Sequence, residues 1–324
     1  MIRPAARHYG FLHPNDHVNH SQSERHDAFR NTHCCFTSER TPERYAFRTG
    51  NNTCADKSRE FADVRKSGRA SACGADVGRG VWCICRHSGT RNERLRMAQR
   101  ALIELPLGGT AIGNGVNTNP DYTRLVIERL AHHTGLPLRA APNRFAATQS
   151  LNDLVALSGA LRGIAVELTK IANDIRLLSS GPNTGLNEIE LPAVQPGSSI
   201  MPGKVNPALA EMLNMVCYHV LGQDAAIAQC GAAGQLELNV MMPYVAYALL
   251  ESLDVLAHAV RSFTEKCVRG IQAHRERCAM YAERTVGLAA LHNQELGFME
   301  AAKLAQRAMD TGQSVQEVLK QPGS

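Results

Sequence analysis

The sequence predicts an all-α protein, a bundle of long helices followed by a short helical C-terminal domain. Three observations carry that prediction. Apolar residues recur at three- and four-residue steps over long stretches of the chain. The longest such stretch, residues 145–178, contains no Pro. Aromatic residues make up only 5% of the chain against 44% hydrophobic residues, a balance that suits Leu- and Ala-rich helices better than β-sandwiches or barrels.

Length alone, 324 residues, predicts about two domains. Charge divides the chain more sharply than length does. Residues 1–100 hold 18 Lys and Arg against 10 Asp and Glu, a net of +8, whereas residues 101–324 carry a net of −3. The first hundred residues also hold 6 of the 10 Cys and 7 of the 13 His. A basic segment invites nucleic acid, but its Arg are scattered singly, with neither a stripe along a helix nor interleaved aromatics, so no nucleic-acid partner is expected. No metal site is expected either. Cys34 and Cys35 are adjacent, one residue separates Cys83 from Cys85, no CxxC pair occurs, and Pro14 breaks the helix that would align His13 with His17. Scattered thiols without a signal peptide point to a reducing, cytoplasmic setting, and no run approaches the roughly 18 apolar residues of a membrane span. Residues 27–55 and 70–90 show neither helical nor strand periodicity.

From Ala101 the pattern changes. Leu151, Leu154, Val155, Leu161, Ile164, Leu168, Ile171, Ile175 and Leu178 form the apolar stripe of one long helix over 145–178. Leu209, Leu213, Val216 and Val220 predict a second helix over 208–230. Leu249, Leu253, Leu256, Val260, Phe263 and Cys267 step by four and three residues along a third, over 244–268, which Gly270 is expected to end. Shorter helices are expected near 273–291 and 297–311, the latter stopped by Gly312. Apolar seams this extensive are naturally buried by a homo-oligomer.

Between the first two long helices lies Ser179–Pro207, a connection with five Pro and four Gly. Such a length inside a helical domain is usually functional or disordered. Its segment Gly197-Ser198-Ser199-Ile200-Met201-Pro202-Gly203-Lys204-Val205-Asn206-Pro207 holds glycines that admit close backbone approach, two hydroxyls, a cation and an amide. The Walker phosphate loop is excluded, because five residues separate Gly197 from Gly203 and Val205 follows the Lys. On residue types alone the loop binds a small anion or serves as a rigid turn.

At this loop the chain resembles the fumarase/aspartase superfamily, whose signature is GSSIMPGKVNP. The likeness extends through LPLGGTAIGNGVNTNPDY (105–122), KIANDIRLLSSGP (170–182), GQLELNVMMP (234–243) and Ser262–Ile271, over nearly all of 91–320. The resemblance implies a homotetrameric lyase that needs no organic cofactor, releases fumarate from a small dicarboxylate substrate, and assembles each active site from three subunits. It also implies that Ser198 is the catalytic base and that Lys204 and Asn206 hold a substrate carboxylate, with Gly197, Ser199, Met201 and Gly203 completing the loop. The GQLELNV segment, Arg176–Ser180, Gly185–Ile189 and Thr311–Val315 look more like aspartate ammonia-lyase than class II fumarate hydratase. The alternatives are that hydratase and a non-catalytic helical remnant.

The chain also departs from the family. HPNDHVNHSQS (13–23) matches, and Ser23 is a candidate substrate contact, but Glu24-Arg25-His26-Asp27 stands where the family has Thr-Asn-Asp. Resemblance resumes over Arg59–Arg69, and Ala70-Ser71-Ala72-Cys73-Gly74 then replaces Thr-His-Leu-Gln-Asp. These losses predict a degraded remnant over 1–100, with 27–55 and 70–85 read out of frame. A central bundle over 101–272 and a truncated C-terminal helical domain over 273–324 complete the expected organisation.

Overall fold

The computed structural model describes residues 93–321, apart from Pro196, Ser198, Ser199, Pro202 and the side chain of Pro120. The expectations placed on residues 1–92, including the out-of-frame spans and Ser23, lie outside the described residues. Helices dominate, and the few strands are two-residue pairs. The described residues fall in two compact units, those of Arg91–Ala165 with Tyr218–Leu256 and those of Val166–Cys217 with Ala257–Ser324.

In the first unit a helical stretch over 93–101 precedes β1 (Glu104–Leu105), which pairs in parallel with β2 (Arg139–Ala140). Between them runs α1 (Pro120–Thr134), an element the apolar periodicity does not announce. Its ends are nevertheless written in the sequence. Asn119 accepts a hydrogen bond from the Asp121 N–H at 2.9 Å, and Pro120 occupies the first turn, where its missing donor is harmless. Gly135 adopts the left-handed conformation at φ 68° and closes the helix. Leu105, Leu107 and Ile127 bury together, with Val126, Leu130 and Leu138 against them.

The single helix expected over 145–178 is two. The first is α2 (Arg144–Gln149); the second is α3 (Asn152–Leu178). Ser150 makes the break. Its backbone is extended at φ −103° and ψ 129°, and its hydroxyl accepts from the Asn152 N–H at 3.3 Å, so the side chain competes with helix continuation. The other two long rods follow the apolar steps closely: α4 (Ala208–Ala232) and α5 (Met242–Lys266). Each of the three rods contributes to both units. In the first unit α4 meets α3 through Ser158 and Asp224, and meets α5 through Gln223 with Tyr244 and His219 with Glu251, as antiparallel neighbours. Asn239, fully buried, donates to the Cys230 and Gly231 carbonyls and accepts from the Met241 N–H, tying the end of α4 to the start of α5.

The second unit holds the remaining turns of the rods. Val260, Phe263 and Cys267 of the predicted seam are buried here, as Leu249, Leu253 and Leu256 are in the first unit. The third helix stops at Lys266, before Gly270, and a short 3-10 turn, Val268–Gly270, follows. Gly270 has a different use, since a Cβ there would overlap the Pro192 ring. β3 (Ile189–Glu190) then pairs antiparallel with β4 (Gln272–Ala273). The stretch expected as one helix over 273–291 is α6 (Arg275–Arg284) and a 3-10 segment, Val286–His292. After them come α7 (Asn293–Leu296), α8 (Phe298–Thr311) and α9 (Val315–Lys320). Gly312 ends α8 in the left-handed conformation at φ 66°, as its position predicts. Ala289, Leu304, Ala308, Val315 and Val318 form a separate small core.

Candidate functional site

The long connection between α3 and α4 is built in two contrasting halves. Its first half is pinned. Ser180 takes the Asn187 N–H on its carbonyl at 2.7 Å, accepts the Leu186 N–H on its hydroxyl at 3.1 Å, and donates that hydroxyl to the Leu177 carbonyl at 2.6 Å. Gly185 sits so close that an added Cβ would overlap the Ser180 carbonyl, which leaves room for glycine alone. From α6, Arg277 donates to the Leu186 and Gly185 carbonyls at 3.4 and 3.5 Å, and the Tyr281 hydroxyl reaches Gly185 at 3.4 Å. The Arg277 guanidinium lies 5.0 Å from the Tyr281 ring centre, which orients both side chains. His274 adds its backbone N–H to the Glu188 carbonyl at 2.9 Å and a ring nitrogen to the Asn187 carbonyl at 2.9 Å. Sequence reasoning assigned none of these anchors. The available signal was the one-turn spacing of Arg277 and Tyr281 on a short helix.

The second half is open. Ile200 is 86% exposed and Met201 and Val205 are about half exposed, unusual for apolar side chains held on a loop. Gly203, at φ 80°, turns the chain so that the Lys204 N–H reaches the Met201 carbonyl at 3.2 Å. A Cβ on Gly197 would overlap the Lys204 carbonyl, so the two ends of the signature segment lie against one another through a glycine. Lys204 is exposed and makes no ion pair among the described residues. Asn206 is half-buried, and its carbonyl accepts from the Ala208 N–H at 2.8 Å where α4 begins. The structure thus brings Gly197, Met201, Gly203, Lys204 and Asn206 into one turn at the head of α4. Ser198 and Ser199 lie outside the described residues. An exposed ammonium two residues from an amide, on backbone turned by glycines, is chemistry suited to a carboxylate.

Three buried cysteines offer no rival nucleophile. Burial pushes the Cys217 and Cys267 thiols up to about 11 and about 12, and burial with the nearby Glu188 carboxylate pushes Cys278 to about 11. No group of three or more His, Cys, Asp or Glu among the described residues is placed to hold a metal ion. No helix among them is long and apolar enough to cross a membrane.

Known proteins share this sequence and fold. Residues 6–222 match the family described as Lyase. The aspartate ammonia-lyase of Helicobacter pylori is 41% identical over 314 residues, covering 96% of this chain and 67% of that protein. The class II fumarate hydratase of Neisseria meningitidis is 41% identical, covering 95% of this chain and 68% of that one. Among solved structures, a fumarate lyase:delta crystallin from Brucella melitensis bound to cobalt superposes with a TM-score of 0.85 at 40% identity, over 95% of this chain and 68% of that one. The class II fumarase of Schistosoma mansoni gives a TM-score of 0.87 at 32% identity, with the same coverage of each chain. The chain spans about two thirds of the length of these relatives. By its signature loop, its helical fold and these matches, the chain belongs to the fumarase/aspartase superfamily of lyases.

Proposed function

We propose that the chain is a subunit of a fumarate-forming lyase that takes aspartate and releases ammonia. The observation that carries this reading is the turn of Gly197, Gly203, Lys204 and Asn206 at the head of α4, where Lys204 is exposed and makes no ion pair among the described residues. The aspartate ammonia-lyases at 41% identity support it. In this reading Lys204 and Asn206 grip the substrate carboxylate next to the carbon that loses its proton. Removing that proton gives a dianionic enediolate, and a fixed cation with aligned donors lowers the barrier. Ser198 takes the proton as an alkoxide, which needs neighbouring N–H groups and a site closed against water. The pinned first half of the connection acts as the anchor, and the open tip bearing Ile200 and Met201 closes over substrate. Ser23 is a further proposed contact. No organic cofactor takes part.

The working assembly is proposed to be a cytoplasmic homotetramer. Val166 and Leu177 on α3, Met215 and Tyr218 on α4, and Tyr247 on α5 are each more than half exposed, apolar surface that rod-to-rod packing between copies would cover. We also infer that this chain alone turns over little or no substrate, because Glu24–Asp27 and Ala70–Gly74 replace two substrate-contacting segments of the family. The central bundle over 101–272 and the C-terminal domain over 273–324 remain the proposed division of labour.

The test is direct. Purified protein is followed at the fumarate absorbance with aspartate and, separately, with malate. Slow or absent turnover is expected for this chain alone, with aspartate preferred when a subunit supplying intact segments is co-expressed. Ordinary turnover by the chain alone would refute the inferred loss. Preference for malate would favour the hydratase reading, which the Neisseria relative supports.

A further inference from the structure

Away from the signature loop, the first unit contains an open groove of about 540 Å³ where the glycine-rich turn 108–115 meets the start of α1 and α2. That volume suits a small molecule. Its charges do not cancel. Arg124 and Glu128 line it but satisfy each other at 3.3 Å, and Arg124 also reaches Asp121 at 3.3 Å. Arg144 is different. Its one side-chain hydrogen bond among the described residues runs from Nη1 to the Gly108 carbonyl at 3.3 Å, and it makes no ion pair there. The rest of its planar fork of N–H donors is therefore left over. The guanidinium lies close to Gly115, where a Cβ would come 3.6 Å from Nη2. Thr118 and Thr123 line the same groove, and neither makes a side-chain hydrogen bond among the described residues.

A half-buried guanidinium with no ion pair among the described residues, beside two threonines in a concave site, is matched by a planar or tetrahedral oxyanion, which accepts two parallel N–H bonds from Arg. We propose that this groove binds a small carboxylate or phosphate through Arg144, with Thr118 and Thr123 as supporting donors. The site does not depend on the lyase reading, because no residue of the signature segment lines it.

Calorimetric titration of the full chain with inorganic phosphate and with succinate, at constant ionic strength, tests the proposal. Saturable binding of at least one anion is expected, and which one binds distinguishes a phosphate from a carboxylate ligand. Arg144→Gln is expected to weaken it about tenfold or more, and Thr118→Val severalfold, the ordinary range for losing a charge-assisted and a neutral hydrogen bond. Lys204→Gln is expected to leave it unchanged. Binding of neither anion overturns the proposal, as does binding lost in Lys204→Gln and kept in Arg144→Gln. Should Arg144→Gln fail to fold, Thr118→Val decides, and unaltered affinity there overturns it.

Discussion

The contact between α3 and α4 in the first unit makes a sharp prediction, because two bonds to one buried carboxylate differ in kind. Asp224 is 5% exposed and accepts from the Ser158 hydroxyl at 2.6 Å and from Arg162 Nη1 at 2.9 Å. Intuition ranks the ion pair first. Burial reverses the order. The Arg162 side chain is 59% exposed, so water screens its charge and the pair contributes about 1 kcal/mol or less. Ser158 is 2% exposed, and no water replaces its hydroxyl when it is removed. A hydrogen bond to a charged group contributes about 1.5–3 kcal/mol, and an under-satisfied buried carboxylate keeps its desolvation cost. Ser158→Ala is therefore expected to lower stability by about 2 kcal/mol, and Arg162→Gln by less than about 1 kcal/mol. At roughly 2–4 °C per kcal/mol for a domain of 150–250 residues, the melting points should fall by about 4–8 °C and by less than about 4 °C. Urea unfolding followed by far-ultraviolet circular dichroism reads both changes. A larger loss from Arg162→Gln than from Ser158→Ala would refute the reasoning.

Three further outcomes are expected. Cys217 and Cys267 ionise near 9.0 ordinarily but at about 11 and about 12 when folded, so the unfolded chain releases their protons first. Stability should be intact below pH 9 and fall above it, by up to about 1.4 kcal/mol per pH unit for each thiol, and replacing Cys267 with Ala should flatten that fall in urea midpoints taken at pH 8 and 10. Gly185→Ala places a Cβ on the Ser180 carbonyl and should cost about 1–3 kcal/mol, with faster proteolytic cleavage in 180–190 as its signature. Ser314→Ala removes one arm of the capping box on α9 and should cost about 1 kcal/mol, read as lost amide protection over 315–320. The Ser314 backbone and hydroxyl hold the Glu317 carboxyl below its ordinary range, so that cap stabilises above the ordinary value and weakens as pH falls through the lowered one.

The three long rods were legible because burial leaves a periodic trace. Every member of the predicted seam from Leu249 to Cys267 is buried, since a helix that hides one face must repeat its apolar residues at the helical period. The same logic missed α1, whose identity is carried by Asn119, Pro120 and Gly135 at its ends rather than by a stripe. It also overran Ser150, because the apolar positions on either side remain in phase while a single hydroxyl ends the helix. In the candidate site, Lys204, Asn206 and the glycines were legible from their types and order. The anchors were not, since Gly185 meets Arg277 and Tyr281 only across about ninety residues of chain.

By itself, then, the sequence determined the helical class, the presence of the three long rods and the signature segment, all consequences of local periodicity and of residue types adjacent in the chain. Tertiary structure alone decided the rest. It determined which half of the connection is pinned and which is open, which partner of Asp224 matters, and that Arg144 faces a groove in which it makes no ion pair among the described residues. Those outcomes rest on burial and on contacts between distant residues, and neither leaves a periodic mark in the order of amino acids.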